Sequence, residues 1–287
     1  MKTLQWFNIC GKIGLKRFRE ECSMKIFISA DIEGVTGIHE WKQATKGEAV
    51  YEKIARRMSE EVSAAIKGAK EAGAKDIVVR DAHGMADNLD IELLDEDVTL
   101  IQKFSDHPDL MMFGIDESFD AALFIGYHAG AYQGGNPLAH TLTSSKVHKM
   151  TINGKLASEY LINAYIAAEK GVPVVFMSGD KTLGEHAKEH QSDLHFVSTF
   201  DAVAQTVKYT HPKKTQAAIT ETVTKALKDM PQLIETPKRY KIKIEYKHHT
   251  MAYKNSFYPG VKLVDSHTIS YESKDIEKIK AFLVFTT

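Results

Sequence analysis

From Met24 onward the chain alternates between two hydrophobic periods. The run "KIFISA" is apolar and reads as a strand. Val50, Ile54, Met58, Val62 and Ile66 then recur at every fourth residue, flanked by Ala55, Ala65 and Ala69. That spacing predicts an amphipathic helix, stopped near Gly73. "DIVVRDAH" and "VTLIQ" read as the second and third strands. "AALFIGYHAG" is a nearly continuous apolar run, the pattern of a strand covered on both faces. "KMTING" predicts a hairpin with Asn153 and Gly154 at its turn. A helix over 158–170, the strand "PVVFMSGD", the short strand "LHFVSTF" and a helix over 215–228 follow, the last stopped by Pro231.

Beyond that proline the pattern changes. "RYKIKIEY" and "HTISYES" alternate strictly, as half-exposed strands do, and "KDIEKIKAFLVF" reads as a closing helix. The order predicts an α/β fold: a mostly parallel sheet flanked by helices over 24–230, with a smaller C-terminal α+β portion over 231–287. No repeats or low-complexity tracts interrupt it.

Residues 1–23 carry neither period. They hold scattered aromatics and four Lys/Arg over 12–19, with too short an apolar stretch for a signal peptide. Met24 is one reading of the true start; a flexible extension or short amphipathic helix is the other. Deleting 1–23 is expected to leave folding and activity unchanged.

Composition narrows the function classes. The 287 residues are 43% hydrophobic and 26% charged, as in ordinary soluble proteins. A net charge of −1 gives no basic excess for nucleic acid or anionic membrane. No apolar run approaches the roughly 18 residues that span a bilayer. The two cysteines, Cys10 and Cys22, both lie in the leader. A disulfide framework is thereby excluded for the body, which fits a cytoplasmic setting, and a cysteine nucleophile or zinc-thiolate site is nearly so.

Three predicted strands end in metal-type ligands. The first runs into Asp31 and Glu33, the second into Asp81 and His83, and "AALFIGY" into His128. In a parallel sheet, sites form outside the carboxyl ends of the strands, so these ends can share one crevice. Glu159 opens the helix after the hairpin, and His140 lies in the Gly/Asn/Pro-rich loop that starts at His128. Singly, each has an ordinary explanation: Asp31 as a turn residue, Glu159 as a complement to a helix N-terminus, a histidine as a loop hydrogen-bonder. Together, Asp31, Glu33, His83, His128 and Glu159 offer oxygen and imidazole without sulfur. That donor set suits Zn²⁺, Mn²⁺ or Co²⁺ better than Ca²⁺. Five ligands exceed the three typical of one catalytic zinc and suit two ions about 3.5–4 Å apart, with Asp31 as the natural bridge.

The stretches "SADIEGVTG", "VVRDAHG", "LFIGYHAGA", "LAHT", "INGKLASEYLINAY" and "PVVFMSGD" resemble the DppA-type zinc D-aminopeptidases in order and spacing from Met24 to about residue 230. The tail from Tyr240 agrees more loosely, the leader is not part of the pattern, and the loop before His140 is slightly longer than usual. The resemblance implies a dinuclear zinc site held by Asp31, Glu33, His83, His128 and Glu159. It implies release of N-terminal D-amino acids such as D-Ala from short peptides with a free N-terminus. It also implies ring-shaped homodecamers, with the sites facing an interior chamber.

His140 falls on the family's active-site histidine, described as a nucleophile. The physical argument favours a proton donor to the oxyanion or the leaving amine, since metal-bound hydroxide already supplies a nucleophile. Asp81 and Asn163 are candidates for orienting the ligands. Handedness at the first residue depends on pocket shape, so an aminopeptidase of other stereospecificity is an alternative. So is a Mg²⁺ phosphoesterase using Asp31 and Glu33. That reading needs Arg80 or Lys146 for phosphate, and no glycine-rich phosphate loop opens a helix. A metal-stabilised assembly subunit is the non-enzyme reading.

Overall fold

The structure is a computed structural model that describes residues 24–287; the leader, and the expectation attached to it, lie outside the described residues. Among the described residues, twelve strands form two sheets. β1 (Met24–Ala30), β2 (Ala74–Asp81), β3 (Val98–Ile101), β4 (Ala121–Tyr127), β7 (Val174–Asp180), β8 (His195–Val203) and β9 (Thr206–Tyr209) make a seven-stranded sheet in the order β3-β2-β1-β4-β7-β8-β9. All its pairings are parallel except β8 with β9. The second sheet is antiparallel, in the order β11-β12-β10-β5-β6, from β5 (Val147–Ile152), β6 (Lys155–Leu156), β10 (Tyr240–Tyr246), β11 (Lys262–Leu263) and β12 (Thr268–Ser273).

Alternation along the central strands explains the layers. Ile26, Ile28, Leu123 and Ile125 pack on one face, in a cluster with Ile54, Met58 and Val62 of α1 (Tyr51–Glu71) and Ile219 and Val223 of α4 (Pro212–Asp229). Phe27, Ala122 and Phe124 face the other way, into a cluster with Leu161 of α2 (Glu159–Glu169), Leu183 of α3 (Lys181–His190), and Met150, Ile242 and Ile244 of the antiparallel sheet. β4 is buried along its whole length because both its faces are covered. The mid-chain hairpin β5–β6 pairs with β10, and the two sheets share one hydrophobic cluster.

Local signals set the helix ends. Ser158 caps α2 by accepting from Leu161 N, and Asp180 caps α3 by accepting from Leu183 N. Pro212 starts α4, and Met230 ends it in a left-handed conformation before Pro231. Two short helices complete the C-terminal region, α5 (His249–Asn255) and α6 (Ile276–Thr286). No described helix is long and apolar enough to cross a membrane.

Two close backbone approaches lock the ends of β1 and β4 together. Asp31 N donates to Ile125 O and Gly34 N to Gly126 O, both at 2.8 Å. A Cβ on Gly34 would lie 1.8 Å from Tyr127 O, and one on Gly126, at φ +70°, would lie 2.3 Å from Asp31 O. Gly34 is therefore needed for space; it is Gly37, at φ +102°, that needs glycine's freedom to turn the chain away.

Candidate metal centre and active site

β2, β1 and β4 are neighbours and run parallel, so their carboxyl ends lie side by side. Asp31 and Glu33 follow β1, His83 follows β2, and His128 follows β4. Glu159 arrives from the start of α2, because hairpin β5–β6 delivers the chain there, and His140 arrives from the loop after β4.

Asp31 reaches in two directions. Its Oδ1 lies 3.3 Å from His83 Nδ1, and its Oδ2 lies 3.4 Å from His128 Nε2. Glu33 Oε2 is 2.9 Å from His83 Nδ1. On the other side, Glu159 Oε2 is 3.5 Å from His128 Nε2, and its Oε1 is 3.6 Å from His140 Nε2. Two groups result, Asp31–Glu33–His83 and His128–His140–Glu159, within each of which the ligand atoms lie within 4.8 Å of one another.

Each imidazole has one nitrogen against a backbone carbonyl and the other turned to the carboxylates. His83 Nε2 lies 2.7 Å from Ala44 O, His128 Nδ1 2.9 Å from Ala129 O, and His140 Nδ1 3.0 Å from Leu138 O. With those nitrogens protonated and donating, the inward ones keep their lone pairs, as metal ligation requires. Asp31 Oδ2, Glu33 Oε2 and His128 Nε2 are buried and make no aligned hydrogen bond, despite their close neighbours. Three carboxylates and three imidazoles so placed fit divalent cations.

The electrostatics without metal show the strain of this arrangement. Burial, with the Glu33 charge, pushes the Asp31 carboxyl up to about 8. Burial raises Glu33 too, but the charge of His83 and its hydrogen bond outweigh it and hold Glu33 well below the usual range. His83 and His128 are lowered by burial but raised further by Glu33 and Glu159 respectively, and end well above an ordinary histidine. His140 is held low, first by burial and then by His128, whose ring stacks on it at 4.3 Å.

A surrounding layer fixes these side chains. Asp81 accepts from Asn88 N (2.5 Å), Leu89 N (2.8 Å) and Asn88 Nδ2 (2.8 Å), and Asn88 Nδ2 also donates to His83 O at 2.7 Å. Asp81 thus supports the backbone of His83 through Asn88. Asn163 is fully buried but does not bond Glu159; it donates to Tyr127 Oη at 3.1 Å, and Tyr127 Oη pairs with Ser29 Oγ at 2.7 Å. The sequence reading missed Asp180 and Asn136. Asp180 Oδ2 accepts from Ala129 N at 2.7 Å and Asn136 Nδ2 at 3.0 Å, and Asn136 Nδ2 also reaches Glu33 O at 3.0 Å. The available signal was an acidic residue at the end of the buried strand "PVVFMSGD".

The site opens into a cleft of about 670 Å³, whose lining includes Trp41, Lys46, Met85, Phe104, Leu142 and Thr143. Trp41, also unforeseen, packs edge-to-face with His140, their ring centroids 5.4 Å apart. The two cations considered for phosphate are engaged elsewhere. Arg80 is buried against the Phe104 ring and donates to Lys103 O, and Lys146 Nζ donates to Thr287 O at 2.7 Å.

The D-aminopeptidase family of peptidases matches residues 24–285. A D-aminopeptidase of Bacillus subtilis (strain 168) is 30% identical over 268 residues, covering 92% of this chain and 97% of that protein. The solved structure of the Zn-dependent D-aminopeptidase DppA from Bacillus subtilis, described as a self-compartmentalizing protease, superposes with a TM-score of 0.86 at 28% identity, over 92% of this chain and 96% of the other. By the extent of these matches, this chain belongs to the D-aminopeptidase family and is a peptide-bond hydrolase.

Proposed function

We propose that this protein is a dinuclear zinc aminopeptidase that releases N-terminal D-amino acids, such as D-Ala, from short peptides. The observation that carries the reading is the set of three imidazoles, each fixed through one nitrogen and offering the other to buried carboxylates. Asp31, Glu33 and His83 would hold one ion, and His128 and Glu159 the other, with Asp31 shared. When bound, such a pair supplies Lewis acidity at the scissile carbonyl.

The chain's own groups do the rest. His140, anchored through Nδ1, presents the Nε2 lone pair to the cleft, where it would take the proton released by the attacking water and pass it to the leaving amine. Trp41 and Leu142 give the cleft apolar walls for a small side chain. The carboxylate-rich floor suits a substrate ammonium. Release assays on the zinc-loaded protein with D-Ala-D-Ala and L-Ala-L-Ala are expected to show turnover of the D form at least about tenfold faster, a margin of roughly 1.4 kcal/mol between transition states. Equal rates would refute the stereochemical reading, and no release from either peptide would refute the aminopeptidase.

We also propose a cytoplasmic ring-shaped homo-oligomer, a decamer. Tyr253, Phe257, Leu263, Val264 and Phe285 are exposed on the C-terminal region and offer apolar surface for an interface between copies. The relative's self-compartmentalizing character gives that surface a use. Light scattering is expected to report many multiples of the 32.1 kDa chain, and Phe285→Glu to reduce that mass. A monomer under active conditions would defeat the proposal.

A further inference from the structure

The last turn of α3 gathers a second set of metal-type donors. His186 and His190 stand one turn apart, with ring centroids 5.0 Å apart and planes at 72°. With Glu189 they offer three ligand atoms, all within 4.8 Å of one another. His186 is only 6% exposed, and the Nε2 atoms of both histidines are buried without a hydrogen-bond partner. Two orphaned imidazole nitrogens in one small cluster are costly to bury unless something binds them.

The spacing is suited to chelation. Residues i and i+4 on a helix lie on the same face, so one ion can meet both rings. Burial first, then Lys155 and, for His190, the neighbouring His186, hold both rings below the usual histidine range against the opposing charge of Glu189, His190 at about 4. Both imidazoles are then neutral, and a metal need displace no proton from them. None of the three residues lines the cleft or touches the ligand set described above.

We propose that His186, Glu189 and His190 form a separate, mononuclear site for a zinc-class divalent cation at the end of α3. Two nitrogens and one carboxylate oxygen suit zinc and leave a fourth position for water. An ion there would tie the last helical turn into a chelate, in a region where the helix otherwise ends at Gln191.

The test is the zinc content of the full chain, stripped with chelator, dialysed against zinc chloride and freed of loose metal. His190→Ala is expected to hold about one ion fewer per chain than the parent, with unchanged peptide turnover. The same difference of about one ion is expected between Asp31→Ala and the double variant Asp31→Ala/His190→Ala, where the cleft site is already disabled. Should His190→Ala fail to fold by circular dichroism, Glu189→Gln replaces it; its exposed side chain can change without repacking, and its zinc affinity at this site is expected to fall about tenfold. Equal zinc content and affinity in parent and variants would overturn the proposal and leave two packed, unliganded histidines. A protein that loses its ion on His190→Ala but none on Asp31→Ala would sustain this site while refuting the zinc centre of the cleft.

Discussion

Replacing Asp31 with alanine is expected to abolish peptide turnover, by roughly 10³-fold or more, and to remove more metal than any other single substitution at the site. The reason is geometric. Asp31 Oδ1 meets His83 and Oδ2 meets His128, so one carboxylate serves both groups. Among the imidazoles of the described residues, Glu33 pairs with His83 alone and Glu159 with His128 and His140. Elemental analysis after zinc loading should therefore show Glu33→Ala losing about one ion and Asp31→Ala losing more than one. Equal losses would mean that Asp31 is not shared. Stability gives a second readout of opposite sign. Without metal, burial and then the Glu33 charge raise the Asp31 carboxyl to about 8, so near neutral pH the fold must hold it protonated where the unfolded chain would ionise it, at a cost in stability. Metal-free Asp31→Ala should thus melt no lower than the metal-free parent. Zinc should raise the parent's melting temperature well above its metal-free value and the variant's by much less.

The convergence behind that expectation was legible in the sequence because it follows from topology. Once β1, β2 and β4 are recognised as buried strands of a parallel sheet, residues just past their carboxyl ends must lie on one edge, however far apart they are in sequence. The supporting residues were not legible, because they act through backbone atoms and have no characteristic spacing. Asp180 and Asn136 reach Ala129 N and Glu33 O, and Trp41 enters the cleft from a single 3-10 turn, Trp41–Gln43. The helix α3 escaped notice because "KTLGEHAKEH" is polar and carries a glycine. Its helical signals are an Asp180 cap, with Leu183 and Ala187 turned inward, and Gly184 is there because the Phe196 ring packs against it. The antiparallel sheet was half legible. The alternation in "RYKIKIEY" marks a strand, but nothing local shows that its partner is a hairpin some 90 residues earlier.

His140→Ala is expected to lose turnover by roughly 10² or more while the two cleft ions and the assembly survive. The loop should keep its shape without the imidazole. His140 N donates to Ala129 O, Leu138 N to Asn136 Oδ1, and Thr141 Oγ1 links Ala131 N to Ala157 O, none of which uses the His140 side chain. What the variant loses is a ring nitrogen 3.6 Å from Glu159 and stacked over His128, with Trp41 at its edge. In the proposed assignment Asp31, Glu33, His83, His128 and Glu159 would supply donors to both ions, leaving His140 free to carry a proton. Zinc content separates this role from ligation: a variant that binds one ion fewer would make His140 a ligand of the group it shares with His128 and Glu159. A variant that retains metal and full turnover would reduce His140 to a loop residue. The remaining choice, between proton carrier and nucleophile, is settled by intermediates. A nucleophilic His140 accumulates a covalent acyl adduct that mass spectrometry detects after rapid quenching, whereas a proton carrier yields none and shows a solvent isotope effect on turnover that His140→Ala diminishes.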